Sequence, residues 1–305
     1  MAVSMRPRHD PALLPLATAE QDEETVLQAS QHLQLLALRR ALAREAEPVG
    51  GTVARALVKR TFDIGVSALL LLLALPVIIA IAVAIKLDSR GPVFYAARRV
   101  GHRGRPLRMF KFRKMRHRAG GPKLTTDGDH RFTRVGEWLA KSKLDELPQL
   151  WNVLRGDMSL IGPRPEDPSF VALHAADFIE ILRVGPGVTG LSQIAFAEES
   201  RILDGNDPTG HYLDRILPQK MGMDRLYATR YHLRLDLSIL VWTLIAVLAR
   251  RDVAVHRQTG RMNLRRRPAP AEGLPTPATP ALALAPAGGQ SPVVVEAHGD
   301  DVAPA

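Results

Sequence analysis

Residues 143–166 read KLDELPQLWNVLRGDMSLIGPRPE, and this stretch gathers residue types that can do phosphate chemistry together. Asp145 and Glu146 are adjacent carboxylates, and Arg164 stands between two prolines in a GPRP turn. A carboxylate can attack a phosphoryl group and form an acyl phosphate. Two anions repel, so arginines or a divalent cation must neutralise the phosphates first. Asp145 is the candidate attacking group, and Glu146 and Asp157 are candidate carboxylates for a metal. Arg164, held on a stiff turn, can match two phosphate oxygens at once.

Pro148 sets the local expectation. Proline is tolerated in the first turn of a helix and costly deeper, so a helix over Asp145–Leu154 is favoured over one starting at Ser142. Asp145 would then lie among free backbone N–H groups at the positive end of the helix dipole, which keeps it ionised. An aspartate beginning a helix is common for purely structural reasons, so the pair alone decides nothing. A reason for phosphate must come from the elements around it.

The composition supplies part of that reason. The chain has 305 residues, no cysteine and a formal charge of +10. Disulfides, thiolate zinc sites and cysteine nucleophiles are excluded together, and the charge asks for an acidic partner: nucleic acid, anionic lipid or phosphorylated small molecules. From Ser89 to Thr126 there is no Asp or Glu. Within that block VFYAARRV, HRGR and PLRMFKFRKM read as strand, turn and strand, a basic ribbon that could offer Lys111 and Arg113 to a phosphate.

The second part is a membrane segment. Ile64–Ile85 carries no charge and is long enough to cross a bilayer. Pro76 sits at its middle, where it bends or breaks a helix. Both flanks are basic, with Arg55, Lys59 and Arg60 before it and Lys86, Arg90, Arg98 and Arg99 after it. The positive-inside tendency puts both flanks on the cytoplasmic side, which a helix entering and leaving one leaflet satisfies and a straight span does not. A proline-kinked transmembrane helix is the alternative. The N-terminal MAVSMRPRHDPALLPLA lacks the apolar core of a secretory signal.

Elsewhere, residues 1–18 read as disordered and 19–50 as an accessory helix capped by Thr18. FTRVGEWLAKS reads as a short helix, Pro168–Leu182 as another, VGPGVTGLSQI as a loop turning to strand, and Leu235–Ala249 as an interfacial or docking helix. Residues 258–305, basic and then rich in proline and alanine, read as a disordered tail. The folded body is therefore expected over 59–250 as one domain, with 64–85 in the membrane and 86–250 catalytic. The fold class is α+β, mainly helical: a monotopic membrane protein with a proline-broken re-entrant helix, a basic β-hairpin and a small cytoplasmic catalytic domain.

Five blocks, KRTFDIGVSALL, LDSRGPVF, RRVGHRGRPLRMFKFRKMR, KLDELPQLWNVLRGDMSLIGPRPE and VGPGVTGLSQI, resemble in this order the bacterial sugar transferases, in their small monotopic form. The resemblance implies transfer of a hexose 1-phosphate from a nucleotide sugar, by preference a UDP sugar, to polyprenyl phosphate at the cytoplasmic face of the bacterial inner membrane. That reaction initiates exopolysaccharide, capsule or O-antigen synthesis, with downstream glycosyltransferases as possible partners and no nucleic acid. It implies Asp145 as nucleophile, Glu146 as a magnesium-associated partner, and Lys111, Arg113, Asn152, Asp157 and Arg164 as polar positions around the substrate phosphates. It also implies the bend at Pro76.

Two departures stand out. Leu75 replaces a serine common before the bend proline, and Ala140 stands where many members carry an arginine, leaving Lys141 or Lys143 as nearby substitutes. A rival reading is a non-catalytic, membrane-associated basic protein binding anionic lipid or nucleic acid. A nucleic-acid surface would interleave its charge with aromatic platforms, and only Phe110 and Phe112 qualify.

Overall fold

The computed structural model describes residues 14–44, 53–126, 128–203, 206–249 and 251–265. Leu14–Arg44 (α1) and Val53–Asp88 (α2) lead the chain. Thr18 lies inside α1 rather than at its cap, so residues 14–18 are helical where disorder was expected. Residues 1–13 and 266–305 lie outside the described residues. The last turns of α1 bury Leu38 and Leu42, which join a cluster with Val100, Phe170, Ile181 and Tyr212.

α2 runs as one helix through Pro76, with Leu69, Leu72, Leu73 and Ile79 exposed along its middle. Each end also makes buried contacts with the rest of the fold. Near the start, Asp63 is buried and accepts from the Ser159 hydroxyl at 2.7 Å and the Leu160 N–H at 3.2 Å. Lys59 reaches Asp236 at 2.8 Å, and the Arg60 guanidinium donates to the Val153 and Leu154 carbonyls. Near the end, Ile81 and Ile85 pack with Phe112 and Leu139. By length and composition α2 is able to enter or cross a membrane.

Phe94–Val100 (β1) and Pro106–Phe112 (β2) form the expected antiparallel ribbon, pairing Tyr95 with Lys111 and Val100 with Pro106. Leu107 and Met109 face inward, and Lys111 follows on the same face, as the two-residue period of a strand requires. Arg134–Ser142 (α3) starts on Thr133, whose side chain accepts from the Gly136 N–H, and stops where Lys143 turns left-handed at φ 61°.

The expected helix over Asp145–Leu154 starts later than its sequence suggested. Leu144–Glu146 is a tight 3₁₀ turn, and the helix proper is Gln149–Arg155 (α4). Pro148 has no N–H to give to Leu144, so an α-helical ladder cannot run through it. The chain uses the shorter bonds Leu147 N–H to Leu144 O and Leu150 N–H to Leu147 O instead. Asp145 therefore sits one turn ahead of the helix, and the dipole argument made for it does not apply.

Ser159–Ile161 (β3) pairs in parallel with Gly187–Thr189 (β4). A Cβ at Gly162 would run into the Gly185 carbonyl, and one at Gly187 into the Gly162 amide, so two glycines allow the crossing that aims the GPRP turn. The Pro168–Leu182 helix is in fact two, Pro168–Leu173 (α5) and Ala175–Ile181 (α6). The second starts on the His174 carbonyl, which receives the Asp177 and Phe178 N–H groups. Short helices Leu191–Ala195 (α7), Glu199–Ile202 (α8) and Pro208–His211 (α9) follow. A π-helical turn at Tyr212–Ile216 then leads into Leu217–Arg230 (α10).

Leu233–Leu248 (α11), capped by His232, occupies the expected interfacial segment. Val253–Val255 (β5) and Met262–Leu264 (β6) then form a hairpin that buries Val253 and Met262 in the main core with Leu150, Ile161 and Tyr227. Residues 258–265 are thus ordered, against the expected tail, because β6 pairs with β5 and Met262 finds a core to cover.

Candidate active site

Glu146 is held between two cations from separate elements. Its Oε1 accepts from Lys111 Nζ of β2 at 2.7 Å and from the Arg164 guanidinium of the GPRP turn at 2.9 Å. Burial opposes ionisation of Glu146, but Arg164 and Lys111 outweigh it and hold the carboxyl well below the usual carboxylate range. The same burial lowers Lys111, with Glu146 opposing it, while Glu146 raises Arg164. Asp145 is 2% exposed and lies in the same 3₁₀ turn, with Lys114 Nζ 3.5 Å from its Oδ2. Three positive side chains thus converge on two adjacent carboxylates. Such a cluster can take a diphosphate: the cations already stand where phosphate charge would be neutralised.

Three of the expected phosphate and metal residues are used elsewhere. Asn152 is fully buried, accepts from the Phe110 N–H at 2.9 Å and donates to the Arg108 carbonyl at 2.8 Å, so it ties α4 to β2 with both ends of its amide. Arg113 spends its guanidinium on the Pro92, Arg90 and Ser89 carbonyls and clamps the turn between α2 and β1. Asp157 pairs with Arg155 at 3.3 Å, beyond the far end of α4 from Glu146. Of the substitutes for a charge at Ala140, Lys141 pairs with Glu137 on the outer side of α3, and the cation placed at Asp145 is Lys114.

A model of the bacterial sugar transferase family matches residues 54–250. The chain belongs to the bacterial sugar transferase family. It is 39% identical over 196 residues to the undecaprenyl-phosphate glucose phosphotransferase of Komagataeibacter xylinus, covering 61% of this chain and 35% of that one. It is 37% identical over 207 residues to a UDP-glucose:undecaprenyl-phosphate glucose-1-phosphate transferase of Caulobacter vibrioides, covering 65% and 74%. Over 205 residues it is also 37% identical to the UDP-N-acetylgalactosamine-undecaprenyl-phosphate N-acetylgalactosaminephosphotransferase of Aeromonas hydrophila, covering 63% and 44%. The chain therefore spans about a third of the length of the first relative and under half of the third.

In this member of the family no three carboxylates or histidines gather into a cation cage among the described residues. A magnesium ion needs only one or two carboxylates when substrate phosphates complete its shell. Glu146 fits that arrangement and Asp157 does not, because α4 separates the two.

Behind Arg164 lies a buried network that sequence reading did not find. Glu166 accepts from the Tyr212 hydroxyl at 2.6 Å, and Lys220 joins Tyr212 and Glu199 at 2.9 Å each. Burial opposes ionisation of Glu166, yet Lys220 and Arg99 keep it below its usual range. Its backbone carbonyl also accepts from the Val100 N–H at 3.0 Å, which fastens the GPRP turn to the end of β1. Asp224, one turn beyond Lys220 on α10, is pushed up to about 7 by burial, against a hydrogen bond from Ser192 and the charge of Lys220. The only sequence signal was Glu166 itself, closing the PRPE motif; the other side chains of the network, Arg99, Glu199, Tyr212 and Lys220, lie 33 or more residues from it.

Proposed function

We propose that this sugar transferase moves a hexose 1-phosphate from a UDP sugar to polyprenyl phosphate by two displacements on Asp145, at the cytoplasmic face of the bacterial inner membrane. The observation that carries the proposal is the placement of Lys111, Lys114 and Arg164 around the Asp145–Glu146 turn within the family domain. The donor diphosphate would lie against these cations. Asp145 attacks the phosphorus that bears the sugar; the bond to the uridylate oxygen breaks, and UMP leaves with the electron pair. An oxygen of polyprenyl phosphate then attacks the same phosphorus. The bond to Asp145 breaks, which restores the carboxylate and releases polyprenyl-diphosphate sugar.

Glu146 would hold a magnesium ion on the donor diphosphate, which supplies further neutralisation of phosphate charge. Without a donor, Glu146 keeps Lys111 and Arg164 gathered at one point. Arg113 and Asn152 serve the fold around this site through the backbone they fix. The product suits the first step of exopolysaccharide, capsule or O-antigen assembly, and glycosyltransferases that extend the lipid-linked sugar are the expected downstream partners.

The docking of both ends of α2 on the same body supports a helix that bends at Pro76 and returns to the leaflet it entered. Lys59, Arg60 and Asp63 hold its start to α4, β3 and α11, and Ile85 and Asp88 hold its end to α3.

Purified protein with magnesium and a panel of labelled nucleotide sugars, but no lipid acceptor, should release one equivalent of nucleoside monophosphate and retain the phosphosugar. Added polyprenyl phosphate should then discharge it. Nucleoside monophosphate release that requires the acceptor would instead establish direct transfer.

A further inference from the structure

An apolar groove of about 420 Å³ opens between the end of α2 and the outer side of α3, lined by Ile81, Ala84, Arg134, Val135 and Trp138. Its two walls are tied together. Asp88, the last residue of α2, accepts from the Val135 N–H at 3.1 Å, and Ile81 packs with Leu139 beneath. Arg134 is the one charged side chain in the lining, and Trp138 stands 54% exposed. Tryptophan favours such a boundary, with an apolar body and one N–H able to face water.

We propose that this groove seats the isoprenoid chain of the lipid acceptor while its phosphate reaches Asp145. The inference rests on the transfer to polyprenyl phosphate proposed above. One wall of the groove belongs to the apolar helix that enters the membrane, so the groove opens where hydrocarbon is at hand, and apolar surface there is covered by lipid rather than water.

Continuity with the reacting turn selects the acceptor over bulk lipid. The cluster under the groove, Ile81, Ile85, Phe112 and Leu139, also packs against Leu144 and Leu147, the residues that flank Asp145 and Glu146. Trp138 is one helical turn from Ser142, after which left-handed Lys143 swings the chain into the Leu144–Glu146 turn. A chain lying in the groove therefore delivers its head toward Asp145, where Lys111, Lys114 and Arg164 supply the charge a phosphate needs. A membrane-bound substrate gains twice: its tail stays in an apolar setting, and its head meets the phosphorylated aspartate without leaving the surface.

Two variants test the groove. Ala84→Trp fills it from the α2 side, and Trp138→Ala removes its rim from a position exposed enough to leave folding intact. Each is assayed for phosphosugar adduct formed from donor alone, and then for KM with undecaprenyl phosphate and with geranyl phosphate, whose short tail hardly enters the groove. Each variant should raise the KM for undecaprenyl phosphate about tenfold, as expected when roughly one or two buried chain groups lose their contacts. The KM for geranyl phosphate should change less than twofold. Equal changes for both acceptors, or no change for either, overturn the proposal. Failure of the parent protein to form any adduct would count against the two-displacement reading instead. Should Ala84→Trp form no adduct while the parent does, Trp138→Ala decides alone.

Discussion

At the scale of single residues, the carboxylate pair and two of its three cations, Lys111 and Arg164, were legible because they share one short stretch or one basic strand; Lys114 was not singled out. Asp145, Glu146, Arg164 and Lys111 all meet at the site. Arg113 and Asn152 carry the same polar character in sequence, but their partners are backbone carbonyls and an amide of distant turns and strands, which no local pattern announces. Asn152→Ala would strand the Phe110 N–H and the Arg108 carbonyl in the interior and cost about 2–4 kcal/mol. Urea unfolding should show that loss, while adduct formed per folded molecule stays near the parent level; a selective loss of adduct would return Asn152 to the phosphate site. Asp224 gives a pH signature. Its folded pKa, about 7, exceeds the value of 3.8 usual for an aspartate, so its contribution to stability is full below 3.8 and lost as pH rises through 7. Between pH 5.5 and 8 the parent should lose about 2 kcal/mol relative to Asp224→Asn in urea unfolding. A constant gap would mean that Asp224 titrates like a surface carboxylate.

At the scale of elements, strand alternation marked the ribbon, FTRVGEWLAKS reads as the short helix that is α3, and one missing hydrogen bond misplaced α4. The start of α4 depends on Pro148 denying an N–H to Leu144, a consequence that moves Asp145 from a helix cap into a tight turn. The role of α1 was not legible. Its apolar stripe is visible in the sequence, but the surface that receives it is assembled from β1, α5, α6 and the π-helical turn. α1 also lies outside the family match at 54–250, yet Arg39 Nε donates to the Gly104 carbonyl in the turn of the ribbon at 2.9 Å. α1 therefore braces the ribbon that carries Lys111. Leu42→Ala, at a site 2% exposed, should cost about 2–4 kcal/mol in urea unfolding. A change below about 0.5 kcal/mol would show that α1 does not belong to the cooperative fold.

At the scale of the whole molecule, charge and hydropathy located the membrane segment, and docking at both of its ends gives the flank argument a structural counterpart. Lys59 and Asp63 fix the start of α2 and Asp88 its end to one body. If α2 returns to its own leaflet, as proposed above, single cysteines at Arg55 and Arg90 should both label from the cytoplasmic side in spheroplasts; labelling from opposite sides would establish a spanning helix. The central claim is narrower: the phosphosugar is carried by Asp145. Trypsin cleavage after Lys143 and Arg155 yields the peptide LDELPQLWNVLR, which holds Asp145 and Glu146. After incubation with donor alone, fragmentation of this peptide should place the phosphosugar mass on Asp145, and Asp145→Asn protein should carry none. A phosphosugar on Glu146, on another peptide, or on Asp145→Asn protein would contradict the account.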